Sequence, residues 1–179
     1  LQYFPTYDAS TSDRVVLLAG DGKRLLFVQD LPMEHVFRCP SNTKEILFNT
    51  EDGFKLHKKG GVIWNFNSDL KISSIEDKDG NKINFSYSGD NLYRVTNDIG
   101  KYITFYYNSS NLITHITDSF GRTWEYIRDA NYNLIEVIKP ITDGTNNLKD
   151  IYTYDSNHNL LTLTDSANQT WQTNIYTYN

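Results

Sequence analysis

Asp77, Asp79 and Asn81 alternate in the stretch DKDGN, at the spacing with which a calcium loop begins. An EF-hand would need a ligand such as Glu at the twelfth position of that loop. Ser88 stands there, and no helical pattern flanks the stretch, so it reads as a tight turn. His35, His57, His115 and His158 fall into no HExxH or other ligand spacing and read as surface or edge positions. Cys39 precedes a proline without a nucleophile signature, and no GxSxG elbow occurs. Gly60-Gly61 leads into a strand rather than a helix, so it builds no phosphate cradle. The expectation is a chain that is not an enzyme, with no catalytic residue, metal or cofactor. Asn84, Asn108 and Asn168 open N-x-Ser/Thr triplets, which arise readily in an Asn-rich chain.

Rings are the other chemically useful groups, with thirteen tyrosines, nine phenylalanines and three tryptophans. Tyr106, Tyr107, Trp124 and Trp171 are candidates for stacking on sugars; the competing reading is that they pack a buried sheet face. Tyr106 differs in parity from Phe105 and Tyr107, so it should point to the opposite side and be the most exposed of the set.

The elements that carry these rings repeat. An aliphatic residue recurs as Ile75, Val95, Ile116, Val137 and Leu163. Two residues later stand Asp77, Asn97, Asp118, Lys139 and Asp165. Three further on come Gly80, Gly100, Gly121 and, in the last copy, Asn168; the fourth copy has Pro140 and a longer loop instead. After the turn, Ile83, Ile103 and Trp124 share one position and Phe85, Phe105 and Tyr126 the next. Tyr87, Tyr107 and Arg128 share a third, where Arg128 breaks the aromatic rule; Tyr152 and Tyr154 resume it in the fourth copy. Asn- and Ser-rich connectors, SGDN, NSSN and SNHN, separate the copies and suit turns that need positive φ.

Each copy of about 20 residues is thus one β-hairpin. The expected fold is all-β: an antiparallel sheet of successive hairpins forming a curved or spiralling strip. Equivalent rings should share a face and line up in rows, each pair adding about 0.5–1.5 kcal/mol beyond burial. The first 67 residues read as a less regular β lead-in, with hairpins in RVVLLAGDGKRLLFV and EILFNTEDGFKL, and are continuous with the repeats of 68–179. Pro5, Pro32 and Pro40 mark breaks or edges.

The net charge of −5 gives no case for nucleic acid or an anionic membrane. No apolar run approaches the roughly 20 residues that span a bilayer. The single Cys39 allows no intrachain disulfide. Leu1 opens without Met or a basic leader and NIYTYN stops in mid-strand, so an internal piece of a longer protein is expected.

The phrase aliphatic-x-Asp-x-x-Gly followed by aromatic-x-Tyr-Asp, seen as IEDKDGNKINFSYS, ITDSFGRTWEYIRD and IYTYDSNHNLLTLTD, resembles the YD repeat of the Rhs family. The resemblance covers about 68–179, and the preceding segment is similar to the stretch that leads into such repeats. It implies a large secreted or cell-surface parent whose repeats spiral into a hollow shell. Bacterial members enclose a C-terminal toxin; toxin-complex shells and teneurins share the architecture. Five copies are too few to close a shell, and the Arg- and Asp-containing segment that ends it is absent here. Encapsulation and self-cleavage would then belong to the parent. The implied partners are flanking repeats and a C-terminal toxin. The alternative is a carbohydrate- or surface-binding module with glycans as partners.

Overall fold

The computed structural model describes residues 2–4, 13–19, 22–30, 33–40, 44–140, 148–165 and 172–175. Those residues are all-β, with seventeen strands and no helix. They form two compact units, residues 1–86 with 96–100 and residues 87–95 with 101–179.

In the first unit the strands are β1 (Gln2–Phe4), β2 (Arg14–Leu18), β3 (Arg24–Asp30), β4 (Met33–Arg38), β5 (Ile46–Thr50), β6 (Gly53–His57), β7 (Ile63–Phe66), β8 (Ile72–Glu76) and most of β9 (Lys82–Ser88). Each pairs antiparallel with the next in the chain. Here lies the fully buried core. Val15, Leu17, Phe27, Phe37, Cys39, Leu47, Phe54, Leu56 and Phe66 form one cluster, with Leu25, Trp64, Leu70 and Ile72 packed against it. A register row runs Phe37, Leu47, Leu56, Trp64, Ile75, Ile83, so these side chains share one face. Phe37 meets Phe54 edge to face across two strands, with ring centroids 5.9 Å apart.

The buried cluster lies within the lead-in of residues 1–67. Sequence alone gave β2 and β3 apolar residues at both parities, such as Val15 with Val16 and Leu17 with Leu18. Alternation could not say which face closes. In the structure Val15 and Leu17 are buried while Leu18 is about half exposed.

In the second unit, β10 (Asn91–Asn97, counted here to Val95) is followed by β11 (Tyr102–Tyr107), β12 (Ile113–Asp118), β13 (Thr123–Arg128), β14 (Leu134–Lys139), β15 (Leu148–Tyr154), β16 (Leu160–Asp165) and β17 (Gln172–Ile175). From β11 onward each strand again pairs with its successor. One face carries Ile103, Phe105, Tyr107, Ile116, Trp124, Tyr126, Val137, Tyr152 and Tyr154; the other carries Thr104, Tyr106, His115, Glu125, Glu136 and Ile151. Equivalent positions of successive copies therefore share a face.

The rings do not form rows of contacting pairs, however. Phe105 lies opposite Ile116, and Ile116 opposite Trp124, while Tyr126 lies opposite Val137. Equivalent strands are next-nearest neighbours, about 9–10 Å apart, because each hairpin inserts its short strand between them. Aromatic and aliphatic side chains alternate across the sheet, and Phe105, Trp124 and Tyr126 are only half-buried.

Candidate functional site

The repeat is held by three local devices that recur at equivalent positions. The first is the turn. The backbone N–H of Asp77 donates to the Asn81 carbonyl at 3.0 Å, and that of Gly80 to the Asp77 carbonyl at 3.2 Å. Gly80 has φ of 87°. This is a three-residue hairpin loop with a left-handed residue before the second strand. Asp118–Arg122 has the same pair of bonds, with Gly121 at φ of 79°. The connectors use it as well. Asn108–Leu112, Asp129–Asn133 and Asp155–Asn159 carry the same bonds, with Asn111, Tyr132 and His158 in the left-handed position.

The second device fills the turn. In Asp77, Asp129 and Asp155 one carboxylate oxygen accepts the backbone N–H groups two and four residues on, and the other accepts the side-chain amide of Asn81, Asn133 or Asn159. Asp118 takes Arg122 Nε at 2.6 Å in place of the amide. In DKDGN the Asp77 oxygens are thus spent on the turn, which explains its calcium-like spacing without a cation. Among the described residues no group of three or more His, Cys, Asp or Glu could hold a metal.

These bonds favour the charged form. The Asn81 amide holds Asp77 below the ordinary 3.8. The Asn133 amide does the same for Asp129, and the Asn159 backbone N–H for Asp155. Burial works to raise Asp118, but the Arg122 and backbone bonds outweigh it and its pKa is lowered. With folded pKa values depressed, the stabilisation is present above the unfolded pKa and is lost as pH falls through the folded values. The urea midpoint is expected to hold from neutral pH to about pH 4 and to drop below it. The double variant Asp129→Asn, Asp155→Asn should flatten that drop, because Asn108 caps the same turn uncharged. An identical acid limb in the variant would refute the assignment.

The third device is a strut beside a bulge. Register shifts fall between Tyr106 and Tyr107, between Ile127 and Arg128, and between Thr153 and Tyr154. The residue after each shift reaches back to the preceding strand. Tyr107 Oη donates to the Leu92 carbonyl at 2.8 Å, Arg128 Nη1 to Ile113 at 2.6 Å and Tyr154 Oη to Leu134 at 2.9 Å. Ile113 and Leu134 themselves lie at the bulges of the preceding pairs. A bulge interrupts the ladder, and a part-buried carbonyl beside it needs another donor. Arg128, which departs from the aromatic pattern, makes the same bond as the tyrosines. Tyr107→Phe or Tyr154→Phe should each cost about 1 kcal/mol, and Arg128→Leu about 1–3 kcal/mol. Arg128→Tyr should be close to neutral in urea titrations monitored by circular dichroism. A neutral Arg128→Leu would remove the strut from the account.

The connector turns also bond to one another along one edge. Asn91 Nδ2 donates to Asn111 Oδ1 at 2.9 Å, and His158 Nδ1–H donates to Asn133 Oδ1 at 2.7 Å.

The candidate sugar-stacking residues occupy different settings. Tyr107 is a strut. Trp124 is half-buried, with the Arg122 guanidinium 5.5 Å from its ring, and shares a face with Tyr107. Tyr106 is on the opposite face and 38% exposed, but one side of its ring stacks on His115 at 4.1 Å and 11°. Trp171 lies outside the described residues, as does Asn168. Among the repeat positions, Phe85, Tyr87, Phe105, Tyr126 and Tyr154 are half-buried, Gly100 is the left-handed residue of the turn after Asn97, and Asp165 ends β16 near Lys139, 3.5 Å away. Lys139 also pairs with Asp150 at 2.7 Å, and Lys149 with Glu136 at 2.6 Å. The hydrogen bond that Lys139 donates to Asp150 raises the Lys139 pKa.

Sequence reading misses Asp129 and Asp155 as turn caps and takes Asn108 only as the start of a triplet and a connector. The signal was present as the spacing Asp-x-x-x-Asn in Asp77–Asn81, Asp129–Asn133 and Asp155–Asn159. Reading the connectors from their Ser and Asn content placed the turn one residue late at SNHN.

No family model matches the sequence, and no curated protein does. The fold is similar to part of a solved structure, the crystal structure of TcdB2-TccC3-Cdc42, with a TM-score of 0.54 and 14% sequence identity over 94% of this chain. The chain spans 11% of the length of that one. The likeness establishes a related β-rich repeat fold.

Proposed function

We propose that this chain is a non-catalytic structural segment of a large secreted or cell-surface protein of the Rhs/YD-repeat kind, supplying β-sheet wall to a shell or scaffold. The observation that carries this reading is the recurrence of turn, bulge and strut at equivalent positions of successive hairpins. Each strut lies within one hairpin, and those of Arg128 and Tyr154 end on the carbonyl beside the bulge at which that hairpin pairs with the one before it, so each strut seals the joint with the neighbouring copy. The similarity to a stretch of a much longer structure supports the reading. Its partners are then the flanking repeats, and any enclosed toxin belongs to the parent. Electron cryomicroscopy of the full-length protein tests this. The wall reading expects hairpins to continue in register on both sides of this segment. A segment hanging free on linkers would overturn it.

A further inference from the structure

Among the described residues two arginines are half-buried, Arg94 and Arg128. Arg128 is spent on the Ile113 carbonyl. Arg94 stands on β10 of the second unit and reaches over β11. Its Nε donates to Thr104 Oγ1 at 3.1 Å, and its guanidinium carbon lies over the Tyr102 ring, 4.3 Å from the centroid. Thr104 is 1% exposed, so the hydroxyl that takes the Nε–H is itself packed in place. The guanidinium is therefore held along one edge and against one side. Its outer edge, the Nη1 and Nη2 pair, presents two parallel donors. Among the described residues no carboxylate reaches Arg94, whereas Arg38 has Asp30 and Arg122 has Asp118.

The surroundings select the kind of anion. Tyr102 and Thr104 share a face with Tyr106, and Lys101, of opposite parity, lies instead over the Phe120 ring at 4.1 Å. Lys149, a cation of the same face as Tyr106, pairs with Glu136. In the row of Thr104 the next positions are Thr117 and Thr123, both neutral. Glu125 is on this face too, but stands on β13 opposite His115. Arg94 thus offers one positive charge with no second cation beside it. Two coplanar oxygens carrying a single negative charge match that fork. A phosphate group, at about −1.5 to −2 near neutral pH, would stay half neutralised.

We infer that Arg94 is an anchoring site for one carboxylate, supplied by an Asp or Glu side chain of a partner segment or by a small free acid. The inference is independent of the wall reading, because Arg94 is neither a strut nor a turn cap. Binding through one fork should be weak, with Kd on the order of 10 mM.

The test follows the Arg94 Nε–H resonance and the backbone amides of the chain by NMR. The probes are sodium acetate, a Gly-Glu-Gly tripeptide blocked at both ends, inorganic phosphate, and sodium chloride at matched ionic strength. Acetate and the tripeptide should each shift Arg94 Nε–H and the amides of 93–95 and 102–104 saturably, with phosphate no tighter. Tripeptide binding at least as tight as acetate assigns the carboxylate to a peptide side chain; tighter acetate binding assigns it to a small free acid. Arg94→Lys keeps the charge but not the fork and should weaken acetate binding about tenfold, while Glu125→Gln leaves it unchanged. Arg94→Gln should abolish saturation, and unchanged amide positions away from β10 and β11 show that each variant is folded. Shifts that stay linear and match chloride, phosphate binding tighter than acetate, shifts centred on Lys101 or Arg122, or undiminished binding by Arg94→Lys would each overturn it.

Discussion

Phe37→Ala is expected to destabilise the first unit by about 3–5 kcal/mol, the range for removing a buried ring from a close-packed core. Phe37 is 1% exposed, lies opposite Leu47 and meets Phe54 edge to face. Loss of the ring removes contacts from both sides of the cluster and leaves a cavity that β-strands fixed by their ladders cannot collapse into. Tyr126→Ala, in the second unit, should cost about 1–2 kcal/mol, because its ring is half-buried and less area returns to water. Trp64 packs on the core, whereas Trp124 lies in the second unit, so single-tryptophan variants report the two separately. In urea, Phe37→Ala should shift the Trp64 transition far more than Tyr126→Ala shifts the Trp124 transition. Equal shifts would mean that the core is not where burial places it.

Gly53→Ala is the second large effect. A positive φ costs an L-residue about 1–3 kcal/mol by itself, and here the added methyl also meets backbone. The obstructing atoms are the Phe66 carbonyl oxygen at 2.2 Å and the Asn67 carbonyl group at 2.6 Å, neither of which can rotate away as a side chain would. Relief requires moving β6 from β7, whose pairing runs from Phe54 with Phe66 to His57 with Ile63. The expected loss is therefore above 3 kcal/mol or so. Gly80→Ala provides the contrast: its φ is also positive, yet nothing lies within 4 Å of the new methyl. That change should cost about 1 kcal/mol, and Gly80→Asn less, since Asn111 occupies the same left-handed position in a connector. Thermal melts of the three variants check the order. A Gly53→Ala no worse than Gly80→Ala would contradict the close approach.

Much of this architecture is legible in the sequence. Asp77 with Gly80 and Asp118 with Gly121 mark turns because only a few residue types accept the left-handed position, and the alternation of Ile83, Phe85 and Tyr87 with Asn84 and Ser86 sets the faces. Exposed Asn84 and Ser86 against half-buried Phe85 and Tyr87 follow that parity. The connector turn at Asp129–Asn133 was hidden because Tyr132, not Asn or Gly, holds its left-handed position. β4 was hidden between Pro32 and Pro40, since MEHVFR alternates poorly. The struts were out of reach, for a phenol that packs and a phenol that donates to a carbonyl look alike in sequence. Arg128 was the available clue: a guanidinium replaces a tyrosine when the shared task is donation.

The central claim is that the second unit is a series of equivalent hairpins, each pairing with the next at a bulge. Its most direct test is hydrogen exchange on two internal deletions. Removing residues 108–128 takes out one whole copy and joins Tyr107 to Asp129, so the turn at Asp129–Asn133 and the strut from Tyr154 keep their partners. Removing only 108–118 takes out a single strand and reverses every strand that follows. The account predicts protected amides in 134–139 and 148–154 in the first deletion and their loss in the second; equal protection, or equal loss, in the two would contradict it.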